Sequence, residues 1–206
     1  MTGINLNEFA AEVHQNAVAH GWWEGERTEA ELRDLLHCEL SEAMESYRRK
    51  EPLVWHKCPH VGAMCETVDV HSGSMDCANC APSMRKPEGA AVELIDFCIR
   101  VLDWRGAMDI RLPKHLEHVN ELCTYTLVNF QDEIIGDPKN IPLPGLIDLL
   151  HVYVVNQREY GFGYLQDAVG IAFAWLEEHG LDPVDLMLEK HDYNKGRTYR
   201  HGGKRC

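Results

Sequence analysis

Long apolar runs are missing from this chain. No stretch approaches the roughly 18 apolar residues of a membrane span, and Met1 to Asn7 lacks the basic and apolar segments of a secretory leader. These absences lead to the expectation of a cytoplasmic protein with no membrane association. Positive charge is also scarce, with 20 Lys and Arg against 33 Asp and Glu and a net charge of -13. That balance repels a nucleic-acid backbone over most of the surface, so stable nucleic acid binding is not expected. A polyphosphate partner would need a local basic patch or a bridging metal. No internal repeat and no low-complexity linker divides the 206 residues.

What is present is an ordinary globular balance, 45% hydrophobic and 26% charged. Asn7 to Ala19 repeats its apolar residues at helical spacing through Phe9, Val13 and Val18. Thr28 followed by Glu31 forms a capping box, and Leu32, Leu35, Leu36, Leu40, Ala43 and Tyr47 carry the next helix to about Arg49, before Pro52. From there to Gly89 the chain is rich in Cys, His, Gly and Pro without a sustained period, which predicts an irregular excursion. Helix resumes near Glu88 and runs through the mostly apolar stretch to Trp104, as in a central bundle helix. Further helices are expected over Pro113 to about Asp132, Leu146 to Gln157, Leu165 to Glu178 and from Asp182-Pro183 to about His191. Val152 to Val155 suits either helix or strand, and Gly161 and Gly163 are expected to break the chain. Cys38, Cys98 and Cys123 fall in helical patterns and are expected to be small buried hydrophobes.

The chemistry lies in the acids. Glu39 and Glu42 are three residues apart, as are Glu93 and Asp96, so each pair shares one helix face. Two such helices side by side would point four carboxylates into one cleft, where mutual repulsion calls for a divalent cation. Oxygen-only ligation suits magnesium, with manganese as a substitute, better than zinc. The same spacing is common in solvated surface acids. Glu93 and Asp96, however, sit among Ala90, Ala91, Val92, Leu94, Ile95, Phe97, Cys98 and Ile99, where an unpaired charge is costly.

The run from His37 to Arg48, followed by Lys86 to Asp96, resembles the MazG-like, all-alpha nucleoside triphosphate pyrophosphohydrolases. The family pattern in its fullest form is two adjacent glutamates and a third on one helix, then Glu-x-x-Asp on the next; Glu39, Glu42, Glu93 and Asp96 match it in order. Cys38 stands where the fullest form has the first glutamate of the adjacent pair, which implies fewer ligands for one metal or a weakly held second metal. Lys190 to Lys204 is similar to the tail of many phage and bacterial members. The resemblance covers about residues 5 to 50, 86 to 106 and 165 to 204.

It implies an all-α, MazG-like antiparallel helical bundle, read as one domain over residues 1–206. An insertion at 51–88 and a basic C-terminal tail at 192–206 complete it. It also implies magnesium-dependent cleavage between the α and β phosphates of a nucleoside or deoxynucleoside triphosphate. Glu39, Glu42, Glu93 and Asp96 would be the metal-binding and catalytic residues, with Glu39 or Glu42 positioning water. A homodimer or higher homo-oligomer is implied as well. His37 is a candidate supporting group or simply a packed histidine, and Trp22, Trp23 and Trp55 are candidates for base stacking or structural anchors.

The tail resemblance, together with its local excess of positive charge, nominates Asn194, Lys195, Arg197 and Arg200 for the substrate's phosphates, with Gly202 and Gly203 allowing close passage. A flexible solubilising terminus is the alternative. Cys58, Cys65, Cys77 and Cys80 are candidate ligands for structural zinc, the last two as C-x-x-C, and His56, His60 or His71 could replace one thiolate. Idle cysteines are the alternative there. The rival function is a catalytically inactive, metal-dependent helical interaction protein; a zinc-knuckle nucleic-acid binder is disfavoured by the acidic balance.

Overall fold

The structure, a computed structural model, describes residues 4–59, 64–65, 85–130 and 137–203. Helix α1 (Leu6–Ala19) is capped by Asn5, whose side chain accepts from the Asn7 and Glu8 amides. Helix α2 (Glu29–Arg48) starts on the expected capping box, with the reciprocal Thr28 and Glu31 bonds both formed. Helix α3 (Ala90–Ala107) follows, with 13 of its 18 residues buried. Such burial on nearly every side makes it the central element, packed against α1, α2, α6 (Gly163–Glu178) and α7 (Pro183–Lys195). Fully burying a side chain such as Ile95 or Phe97 contributes roughly 2 kcal/mol. The core continues through α4 (Val119–Asn129) and α5 (Leu143–Tyr160), which pack on α6. Arg200–Gly203 forms a last helical turn, α8.

The chain is therefore predominantly helical, and among the described residues no helix is long and apolar enough to cross a membrane. The excursion at 51–88 contains, in its described part, a small antiparallel sheet of order β2-β1-β3, with β1 at Trp55–Lys57, β2 at Met64–Cys65 and β3 at Lys86–Glu88. Strands of two or three residues are too short to show a period of two, so the sequence reads as irregular there. The sheet is tied to α7, with His56 Nε2 2.6 Å from a Glu189 carboxylate oxygen.

Two glycines set how α3 sits. Gly89 precedes it at φ +112, where a Cβ would lie 2.7 Å from the Pro52 carbonyl oxygen. Near the other end, a Cβ on Gly106 would lie 2.7 Å from both the Ala10 carbonyl oxygen and His14 Cβ, so its absence lets α1 approach α3 closely.

Several boundaries differ from expectation for identifiable reasons. The segment after Pro113 makes only a 3-10 turn at Lys114–Leu116 and then extends at His118. There the backbone pairs with the start of α1, the Leu6 amide donating to the Glu117 carbonyl at 2.7 Å. Helix α5 begins earlier than expected because Pro144 fits its first turn, and Val152 to Val155 is helical. Gly161, at φ +92, makes the break, whereas Gly163 already opens α6. Helix α7 starts at the Asp182 cap as expected but continues past His191 to Lys195. Cys98 and Cys123 are buried, while Cys38 is exposed, contrary to expectation, because position 38 lies off the core stripe of Leu36, Leu40 and Ala43.

Candidate metal and phosphate site

A cleft opens between α1, α2, α3 and α7, and acids line its inner wall. Because α2 and α3 pack side by side, their three-residue spacings bring Glu39, Glu42 and Glu93 together. One ligand oxygen from each lies within 4.8 Å of the others. Glu39 and Glu93 are only 5% and 6% exposed, whereas Glu42 is open to solvent. Burial, followed by the nearby charge of Asp96, pushes the Glu93 carboxyl up to about 8. Burial also raises the Glu39 carboxyl, against the opposing Arg100 guanidinium, whose Nε donates to it. Glu93 thus holds its proton through neutral pH in the absence of a cation, Glu39 has the Arg100 guanidinium as its counter-charge, and three oxygens so disposed can take a divalent ion that prefers oxygen.

Asp96 lines the same cleft, but its carboxylate pairs with the Lys190 ammonium at 2.8 Å. Lys190 is 2% exposed. Burial works against its charge, yet Asp96 and Glu93 hold its pKa above the usual lysine value. Further along α3, Asp103 continues the polar stripe after Arg100. Its Oδ1 lies 2.9 Å from His14 Nδ1, and Trp23 Nε1 donates to Oδ1 and Oδ2 at 2.9 and 3.1 Å. Burial lifts this carboxyl above its ordinary range, while the bonds from His14 and Trp23 pull it back.

The opposite wall comes from α7 and the segment after it. Asn194 and Arg197 line the cleft, and Asn194 Oδ1 is buried without a hydrogen-bond partner among the described residues. Such an orphan acceptor is expensive unless a ligand or water supplies a donor. The segment is held in place by His20, whose Nε2 lies 2.9 Å from the Arg197 carbonyl oxygen. The other two nominated cations face elsewhere. Lys195 pairs with Glu12 at 2.7 Å and Asp192 at 3.1 Å, and Arg200 Nε donates to the Gly21 carbonyl at 3.0 Å. Neither lines the cleft, and both tie the tail to α1 and the turn after it.

Of the remaining candidates, Trp22 lines the cleft, Trp23 anchors Asp103, and Trp55 lies on β1. His37 stands apart from the acids. It stacks on His151 of α5, with the two Nδ1 atoms 2.7 Å apart. Cys58 is buried next to β1 and Cys65 lies in β2, while Cys77 and Cys80, with His60 and His71, lie outside the described residues.

Arg100, Asp103 and Lys190 escaped nomination as site residues. Arg100 and Asp103 were legible as continuations of the Glu93 and Asp96 face at intervals of seven residues. Lys190 was visible only as one more basic residue near the tail. Comparison of the chain with protein-family models, curated proteins and solved structures finds no match.

Proposed function

We propose that this chain is a MazG-like, all-alpha nucleoside triphosphate pyrophosphohydrolase, using magnesium, or manganese in its place, to produce a nucleoside monophosphate and pyrophosphate. The observation that carries the reading is one cleft holding three converging carboxylates on one side and Asn194 with Arg197 on the other. Glu39, Glu42 and Glu93 would hold the metal, and Asp96 adjoins them. When bound, the ion would offset the negative charge that develops on the phosphoryl oxygens.

The protein's own groups divide the other tasks. Arg197 presents a guanidinium suited to paired phosphate contacts, and Asn194 adds a polar side chain one helical turn beyond Lys190. Glu39 is engaged by Arg100, so exposed Glu42 is the better base for the water that attacks the α phosphorus and displaces the oxygen bridging it to the β phosphate. That water gives its proton to Glu42, its oxygen joins phosphorus, and the pyrophosphate leaves with the bond electrons. Trp22 at the cleft offers a face for the base.

The deciding experiment incubates the protein with a panel of ribo- and deoxynucleoside triphosphates and magnesium and measures pyrophosphate. Release that vanishes in a folded Glu93→Gln variant is expected; near-parental kcat in that variant removes Glu93 from the site. The second reading, an inactive metal-dependent interaction protein, draws support from the engagement of Glu39 and Asp96 by Arg100 and Lys190. It predicts metal binding without pyrophosphate release.

A homodimer or higher homo-oligomer belongs to the main reading, and sedimentation of an active monomer at micromolar concentration would remove that element. Structural zinc on Cys58, Cys65, Cys77 and Cys80 belongs to it too. Elemental analysis of the parent and of a Cys77→Ser/Cys80→Ser variant tests the zinc.

A further inference from the structure

Lys190 is the most deeply buried cation lining the cleft, at 2% exposure, and it sits on Asp96. Its ammonium is 2.8 Å from the carboxylate and 3.4 Å from the Pro87 carbonyl oxygen of β3. A buried ammonium is tolerated only while an anion stays beside it. Glu93, one turn earlier on α3, and Glu88 of β3 are the other carboxyl groups that act on it. On α7 itself, Asn194 follows Lys190 by four residues, and Arg197 lies just past the helix end; all three line the cleft. The group that neutralises Asp96 is thus carried by the element that presents the proposed phosphate ligands.

We propose that Lys190 is a built-in counter-cation that competes with a divalent ion for Asp96 and couples metal loading to phosphate binding through α7. The inference rests on the metal site proposed above. A divalent ion drawing on Asp96 leaves the Lys190 ammonium buried without its anion. A triphosphate oxygen entering between α3 and α7 is the group that can replace that anion, because Lys190 lines the same cleft as Asn194 and Arg197. Metal alone is therefore held weakly, and metal with triphosphate is held cooperatively; by linkage the effect is reciprocal.

The test is titration of full-length protein with Mn2+ alone, followed by calorimetry. Removing the competitor in Lys190→Met should tighten Mn2+ binding roughly tenfold, and Lys190→Arg should restore the parental value. In an Asp96→Asn background, Lys190→Met should change the affinity little, because the contested carboxylate is gone. That double variant removes both partners of the pair and serves if Lys190→Met alone fails to fold.

A Glu93-dependent Mn2+ site in the parent whose affinity is unchanged or weakened in Lys190→Met overturns the competition while leaving the proposed function standing. Tightening of equal size in the Asp96→Asn background overturns it as well. Absence of any Glu93-dependent Mn2+ site in the parent overturns the proposed metal site and this inference together.

Discussion

In the metal-free protein, Glu93→Gln is predicted to stabilise the fold in alkaline buffer and to do little in acid. The Glu93 carboxyl rises from an ordinary 4.5 to about 8 in the folded protein, chiefly through burial. Below the lower value the folded and unfolded chains are both protonated there, and the folded state keeps its full stability. As pH climbs, the unfolded chain ionises first while the folded one holds its proton, so stability falls by about 1.4 kcal/mol per pH unit until pH passes the upper value. The whole window is worth on the order of 5 kcal/mol, comparable to much of a domain's net stability. Glutamine keeps the shape and does not titrate, so it escapes this loss. Glu39 is raised in the same direction and its charge acts on Glu93, so losing the Glu93 charge also relieves Glu39 and adds to the variant's alkaline advantage.

The assay is urea unfolding of parent and variant with a chelator at about pH 5 and about pH 8.5, reading the midpoint at constant m. The variant's advantage should grow by several kcal/mol between the two conditions, and magnesium should reverse it at the higher pH by binding only the parent. A stability difference that is the same at both pH values refutes the assignment of Glu93 as a buried acid awaiting a cation.

Arg197→Ala should raise KM for triphosphate, because Arg197 lines the cleft, while Arg200→Ala should leave KM near parental because Arg200 binds the Gly21 carbonyl instead; equal effects in steady-state kinetics would contradict that division. Gly106→Ala should cost about 1 to 3 kcal/mol in thermal or urea unfolding, since its Cβ would meet the α1 backbone at 2.7 Å, and a neutral result would mean that α1 can retreat freely. Arg105 is 3% exposed, its Nη2 has no hydrogen-bond partner among the described residues, and burial brings its pKa down to about 10. Arg105→Leu should therefore stabilise the protein by about 1 kcal/mol or more, and marked destabilisation in the same unfolding assay would show that the guanidinium has a use in the fold.

The order of helices was written in local signals. The Thr28 and Glu31 box, the Asp182-Pro183 start and the apolar spacing of α1, α3 and α6 each act within a few residues, so neighbouring positions suffice to read them. The same holds for the two three-residue acid spacings, since helix geometry alone puts Glu39 with Glu42 and Glu93 with Asp96. Helix spacing names a face; it does not name what stands opposite. Packing of α2 on α3 decided that Glu39, Glu42 and Glu93 converge, and packing of α7 on α3 decided that Asp96 faces an ammonium.

Tertiary placement likewise separated groups that look alike in sequence. Lys190, Lys195, Arg197 and Arg200 are four basic residues within one short stretch, yet α7 turns Lys190 inward and Lys195 toward Glu12. Beyond the helix, the chain carries Arg197 to the cleft and Arg200 to the turn after α1. Trp23 finds Asp103 across 80 residues, and His37 finds His151 across 114. Charge and aromaticity are properties of a residue and could be counted beforehand. Burial and partner are properties of the packed chain, and they set which acid keeps its proton and which cation is committed to a carboxylate.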